Sequence, residues 1–171
     1  MKNMTTKQLV MAAVVGAAYV VLTMAVYPIA FGPLQCRISE ALTVLPYYFP
    51  QTMWGLFVGC LLSNYLGGAT PIDIIFGSLA TLAAGYLTSK IRSRWLAPLP
   101  PVVLNGVVVG ATLAYVTAPD NFWPAFAMIG FQVAVGELIA CYALGLPILY
   151  RIPKIRFLGE MITAKKDGEA G

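Results

Sequence analysis

Apolar residues fill this chain in long blocks, and polar residues are confined to short gaps between them. The blocks fall at about 8–31, 38–49, 51–67, 71–89, 102–118 and 123–150. An α-helix crosses a bilayer with about 20 predominantly apolar residues, and the first block exceeds that length without a charge. The pattern predicts an all-α membrane protein, a bundle of six transmembrane helices forming one integral domain over 1–171, with a charged tail over 151–171. The second and third blocks are short. Between Ala41 and Ile72 the chain is uncharged for 32 residues, whereas two full spans need about 40. Pro46 and Pro50 interrupt this stretch, so a short helix to Phe49 and another from Gln51 are expected. Gly67-Gly68 ends the latter, and Pro119-Asp120-Asn121 makes a turn. The last block is long and carries Gly136, Gly145 and Pro147. Beyond Arg151 the chain reads as an amphipathic, partly disordered stub.

Composition agrees with lipid as the solvent. Hydrophobic residues are 59% of the 171 and charged residues 11%, against about a quarter charged in soluble domains. Six spans leave no room for a soluble catalytic or nucleotide-binding domain. The first block is too long for a signal peptide and lacks a small-residue cleavage site, so it is expected to be retained.

Charge placement sets the orientation. The start of the chain, the 90–97 loop and the tail hold Lys2, Lys7, Lys90, Arg92, Arg94, Arg151, Lys154, Arg156, Lys165 and Lys166, ten of the eleven basic residues. Six spans with both ends in the cytoplasm put all three regions inside, as the positive-inside rule requires. The basic residues are thereby topology signals and not a nucleic-acid surface. Arg37 is the exception.

Four charged residues lie in or beside blocks, away from those loops: Arg37, Glu40, Asp73 and Glu137. A charge at mid-bilayer costs roughly 2.5–3.5 kcal/mol on insertion scales, so such residues usually face a bundle interior or a watery path. Glu137 sits mid-block, with Gly130, Ala134, Ala140, Cys141 and Gly145 at helical spacing. That small face makes room either for a solute or for a close helix contact. Arg37 and Glu40 are three apart at the mouth of the second block. They read as a mutual ion pair with Ser39 as N-cap, as a charged lid over a site, or as both. Asp73 opens the fourth block, where the helix dipole alone favours an anion.

Asn64, Asn105 and Gln132 are amides in apolar runs, available as interhelical glue or as pocket donors and acceptors. Trp54 and Tyr47 lie near the short, broken helices that point to a transporter's site; the alternative for them is the interfacial aromatic belt. The first block has little polar chemistry beyond Tyr19 and Thr23, but it has small residues in line: Ala13 and Ala17 on one edge, Ala12 and Gly16 on the next. Such stripes pack within a bundle or dock onto another membrane subunit. Cys36, Cys60 and Cys141 are far apart in apolar surroundings and read as small hydrophobes. The sequence has no histidine and no GxxxxGK[ST] loop, so ATP use by this chain alone is excluded. A membrane enzyme built on the four charges would have no recognisable nucleophile–base pair.

The stretch Phe31-Gly-Pro-Leu-Gln-Cys-Arg-Ile-Ser-Glu-Ala-Leu-Thr-Val-Leu-Pro46, with Gln35 to Leu42 as its most specific part, resembles the signature of the QueT family of queuosine-precursor transporters. The block layout agrees through about Arg156, and Asn64, Gly67, Gly68 and Asp73 fall at that family's polar and glycine positions. The family is similar to the substrate-binding (S) components of energy-coupling factor (ECF) transporters. The resemblance implies a multi-pass protein of the bacterial cytoplasmic membrane that binds a vitamin-like solute near the outer face. It implies docking through first-helix small residues onto a transmembrane coupling (T) subunit that works with two ATPases, so that ATP and Mg belong to those partners and no cofactor to this chain. The implied solutes are 7-deazaguanines such as queuine or the 7-aminomethyl precursor. Another vitamin or purine-like solute, or a non-transporting assembly role, is the alternative. The chemistry suits such a solute. A guanine-like edge presents two adjacent donors to one carboxylate, which Glu137 or Asp73 supplies. Its carbonyl needs a donor from Asn64, Asn105, Gln132 or Arg37. Its ring stacks on Trp54 or Tyr47, and an aminomethyl cation takes Glu40.

Overall fold

The computed structural model describes residues 4–32 and 37–169, with side chains as far as Thr163. Lys2, the signature residues Pro33 to Cys36, with the reading of Cys36 as a small hydrophobe, and the side chains of Lys165 and Lys166 lie outside that description. The described chain is helical throughout, joined by turns, with no strand among the described residues.

Helix α1 (Thr6–Ala25) starts on a capping box: the Gln8 N–H donates to Thr5 Oγ1 at 3.4 Å, and the Thr5 N–H to Gln8 Oε1 at 2.9 Å. It stops at Val26, because Pro28 has no N–H and its ring crowds the preceding turn. A short helix α2 (Tyr27–Ala30) follows, so the block expected as one span is two pieces.

The second block is a 3-10 helix, Ile38–Tyr47. A 3-10 helix rises about 2.0 Å per residue against about 1.5 Å for an α-helix. Ten residues therefore reach about 20 Å, about 5 Å further than the α form. That extension meets the shortage of residues noted above.

Helix α3 (Thr52–Leu66) ends at Gly67, and Gly68 then takes φ 71°, a left-handed conformation open to glycine at no cost. Helix α4 (Pro71–Lys90) is capped by the Thr70 side chain and has Pro71 at its first position. Helix α5 (Leu99–Thr117) begins ahead of the expected 102; Pro100 and Pro101 fall in its first turn, where no N–H has an intrahelical partner. After the 3-10 turn Pro119–Asn121 comes α6 (Phe122–Leu138), then a π-helical segment, Ile139–Gly145, then α7 (Leu146–Arg151). The long last block is thus interrupted by a π segment just after Glu137. Beyond a 3-10 turn at Ile152–Lys154, the tail expected as an amphipathic, partly disordered stub is helical over Arg156–Glu169, α8. Its Leu158, Met161 and Ile162 pack against the cluster formed by Val44, Tyr48, Phe49, Ala97, Leu149 and Ile152. These contacts seat the first two turns of α8 on the bundle.

Among the described residues, four segments are long and apolar enough to cross a membrane: Thr6–Ala25, Pro71–Lys90, Leu99–Thr117 and Pro119–Lys154; Thr52–Leu66 is apolar but shorter. Large apolar side chains such as Val10, Val14, Val21, Met128 and Phe131 point outward, as lipid-facing residues do. This is a multi-pass membrane protein.

The bundle pairs α1 with α3 and α5 with α6, and α4 bridges α3 and α5. The α1–α3 contact is backbone on backbone: a Cβ at Gly55 would strike the Ala12 carbonyl, and one at Gly59 would lie 2.8 Å from the Gly16 carbonyl. Ala12 and Gly16 are buried here, while Ala13 and Ala17 remain exposed. The 3-10 helix lies across α1, α4 and the π segment, which carries it into the bundle interior.

Candidate functional site

Hydrogen bonds within lipid must be made inside the protein, so polar side chains on the inner faces of these helices gather. The 3-10 helix brings Arg37 and Glu40, α3 brings Cys60 and Asn64, α4 brings Asp73 and Thr81, α5 brings Asn105, and α6 brings Glu137. All are buried; Arg37 keeps 5% of its surface, Glu40 1% and Glu137 3%. Six of the nine solute-site candidates from the sequence (Glu137, Asp73, Arg37, Glu40, Asn64 and Asn105) are therefore in one interior region.

At its centre is a void lined by Arg37, Glu40, Cys60, Gly77, Thr81, Asn105, Val109, Val133 and Glu137, with a cavity volume of about 10 Å³. That is room for about one water molecule. Asn105 Nδ2 donates to Glu137 Oε1 at 2.9 Å, tying α5 to α6, and the Cys141 thiol lies 3.6 Å from Glu137 Oε2. The Tyr19 hydroxyl donates to Glu40 Oε1. Arg37 lies over the Phe31 ring at 4.9 Å, with Nε donating to the Ala30 carbonyl at 3.4 Å and Nη1 4.0 Å from Cys60 Sγ.

Four buried atoms of the region have no partner among the described residues: Arg37 Nη2, Glu40 Oε2, Asn64 Oδ1 and Asn105 Oδ1. A buried polar group without a hydrogen bond costs about 1–3 kcal/mol, and native proteins carry few of them. Three of these four belong to residues lining the void.

Arg37 and Glu40 do not form the ion pair that their spacing suggested. Among the described residues, the pairing within ion-bridge distance is Arg156 with Glu160, on the exposed face of α8. Ser39 is not the N-cap; Arg37 is, and the Ser39 hydroxyl instead meets Thr23 Oγ1 at 2.7 Å. The reason is depth: the segment lies inside the bundle, where Tyr19 and Thr23 of α1 reach it first.

Asp73 stands slightly apart. It is the third residue of α4, and its carboxylate accepts from Thr112 Oγ1 at 3.1 Å. Asn64 donates weakly to the Asp73 carbonyl at 3.5 Å, and both side chains border Gly77. Neither lines the void. The remaining three candidates are elsewhere. Trp54 is 43% exposed on the outside of α3. Tyr47 is at the far end of the 3-10 helix, its hydroxyl donating to the Arg92 carbonyl at 2.7 Å. Gln132 is half-buried on α6 and is not part of the lining.

Tyr19, Thr112 and Cys60 belong to the cluster without having been singled out for it. For Tyr19 a signal existed: Tyr19 and Thr23, one turn apart, are the polar residues of an otherwise apolar helix. Cys60 and Cys141 contribute more than apolar volume, since Cys60 Sγ meets Thr81 Oγ1 at 3.4 Å and Cys141 bridges towards Glu40 and Glu137.

The QueT transporter family model matches residues 9–154. A curated relative, the queuosine precursor transporter QueT of Lactococcus lactis subsp. cremoris (strain MG1363), is 38% identical over 84 residues, 48% of this chain and 49% of that protein. The chain thus spans about half the length of the curated relative it matches. No solved structure matches.

Proposed function

Because this chain belongs to the QueT transporter family, we propose that it is a membrane-embedded binding subunit for import of a queuosine precursor, a 7-deazaguanine seated on the Arg37–Glu40–Asn105–Glu137 cluster. The observation that carries this reading is the set of unpartnered buried polar atoms around one interior void. Their chemistry complements a guanine-like edge: a carboxylate and an amide oxygen for its donors, a guanidinium for its carbonyl. Small-molecule pockets measure about 300–1,000 Å³, so the void represents a closed form whose walls part to admit a base. The 3-10 helix and the π segment, which pack on each other and carry or adjoin Arg37, Glu40 and Glu137, are the natural moving parts. Non-α turns of this kind recur at functional sites. With Trp54 and Tyr47 remote, Tyr19 and Phe31 are the aromatic rings beside the cluster.

In this reading the chain crosses the bacterial cytoplasmic membrane six times as one integral domain, with both ends in the cytoplasm. The 3-10 helix and α3 serve as the two short spans, and α6, the π segment and α7 together as the last. It acts as the S component of an ECF-type importer. Ala13 and Ala17, exposed on α1, dock onto the T subunit; Ala12 and Gly16 hold α3. Two partner ATPases bind ATP and Mg, and this chain performs no reaction itself.

The test is to purify the chain, identify co-purifying small molecules by mass spectrometry, and titrate it with 7-deazaguanines by calorimetry. A bound 7-deazaguanine supports the assignment. A flavin, thiamine or biotin in its place would sink the solute and leave the architecture standing.

A further inference from the structure

The loop 91–98 joins α4 to α5 and carries Arg92, Arg94 and Trp95, all exposed. Its fixed end is Ala97, which is fully buried and whose carbonyl accepts from Thr88 Oγ1 of α4 at 3.1 Å. Ahead of that anchor the Leu96 N–H donates to the Ser93 carbonyl at 3.2 Å. The stretch 92–95 is placed against the bundle by contacts that reach both walls of the site.

One wall is the 3-10 helix, which closes on Tyr47 and Tyr48. The Tyr47 hydroxyl donates to the Arg92 carbonyl at 2.7 Å, and the Arg94 guanidinium lies 5.8 Å from the centre of the Tyr48 ring. The other wall is the π segment with α7. There the same guanidinium lies 5.6 Å from the centre of the Tyr150 ring, and Trp95 meets Tyr142 edge-on at 5.7 Å. Arg94 thus bridges one aromatic ring from each wall. Cation–π and edge-to-face contacts of this kind are individually weak, so they can be broken and remade.

We propose that 92–95 is a strap that holds the 3-10 helix against the π segment and α7 and so keeps the void closed. The proposal rests on the reading that these elements part to admit the solute. The grip lies at the opposite end of the 3-10 helix from Arg37 and Glu40, so Arg94, Trp95 and Tyr47 act through the helix as positioning residues. Mass action fixes the sign of their effect. A solute that binds a minor open form has its apparent affinity reduced by the open fraction. Contacts made in the closed form and lost in the open one lower that fraction. Loosening the strap therefore tightens binding, the opposite of what losing a merely supporting contact does.

Cys141 is the reporter of opening. Its thiol is buried between the two walls, 3.7 Å from Thr43 Oγ1, and its reaction rate follows the population of the open form. Labelling of Cys141 by N-ethylmaleimide, resolved by peptide mass spectrometry, is followed without solute on the purified full-length chain in detergent. The same samples are titrated with 7-aminomethyl-7-deazaguanine by calorimetry. The variants are Arg94→Ala, the milder Tyr47→Phe, and Lys90→Ala, which removes a comparable contact with Tyr86 at 5.4 Å within α4. Arg94→Ala is expected to speed labelling about tenfold and to tighten binding by about the same factor, the scale of one cation–π contact. Tyr47→Phe should move both in the same direction by less, and Lys90→Ala should move neither. Unchanged labelling in both Arg94→Ala and Tyr47→Phe, or equally fast labelling in Lys90→Ala, would overturn the strap. So would faster labelling with weaker binding, the pattern of general loosening. If no sample binds the 7-deazaguanine while labelling keeps the expected order, the strap stands and the solute assignment falls.

Discussion

Asn105 donates to Glu137 across 2.9 Å, joining α5 to α6 at the floor of the void. Both side chains are buried, and Asn105 Oδ1 has no partner among the described residues, while Glu137 Oε2 meets the Cys141 thiol. Removing one partner of such a pair leaves the other unsatisfied, whereas removing both is far less harmful. Asn105→Leu is therefore expected to destabilise the bundle by about 1–3 kcal/mol. The double variant Asn105→Leu/Glu137→Leu should recover much of that loss while still failing to bind solute. Thermal unfolding in detergent checks the first outcome and calorimetry the second. Additive losses in the double variant would mean that the contact is incidental.

The α1–α3 seam predicts a sharp asymmetry along one helix. Gly16→Trp should abolish folding, since even a Cβ at that position lies 2.7 Å from the Gly55 carbonyl. Ala17→Trp, one residue on but exposed, should leave folding and solute binding intact. It should remove co-purification with the T subunit. Retention of the complex by Ala17→Trp and Ala13→Trp alike would remove α1 from the docking surface.

Orientation is open to labelling. The loop at 91–98 and the turn at Pro119–Asn121 lie at opposite ends of α5. With both termini inside, a cysteine placed at Asp120 should react with an impermeant maleimide in intact cells. One at Ser93 should react only after the membrane is opened. The reverse pattern would invert the topology.

Thr43 of the 3-10 helix and Cys141 of the π segment face each other, Oγ1 to Sγ, at 3.7 Å. Thr43→Cys should cross-link to Cys141 under mild oxidation, seen as loss of free thiol in the intact mass. The locked form should bind solute poorly, and reduction should restore binding. Full binding by the cross-linked protein would show that the site opens elsewhere.

Much of this was legible because lipid makes polar residues conspicuous. Glu137, Asn105 and Arg37 stood out as polar groups in apolar blocks, and the structure brings them together. Thr112 is harder to see, since threonine hydroxyls in apolar helices commonly satisfy themselves on their own backbone, as Thr112 does on the Val109 carbonyl and Thr81 on the Gly77 carbonyl. Trp54 and Tyr47 drew attention by their position in sequence, but helix rotation decides which way an aromatic points, and rotation is weakly encoded when both lipid and core faces are apolar. The same uniformity hid the helix types. Apolar periodicity does not distinguish α from 3-10 or π winding over ten residues, and the shortage of residues between Ala41 and Ile72 was the one hint that the chain had to stretch.

The proposed solute seat is the void bordered by Arg37, Glu40, Asn105 and Glu137, with Asp73 outside it. Calorimetric titration of 7-aminomethyl-7-deazaguanine into the unmodified chain, Glu137→Gln and Asp73→Asn tests this most directly. At least about 100-fold weaker binding is expected for Glu137→Gln, equivalent to about 2.7 kcal/mol, and a much smaller loss for Asp73→Asn. Unchanged binding by Glu137→Gln, with binding abolished in Asp73→Asn, would contradict it.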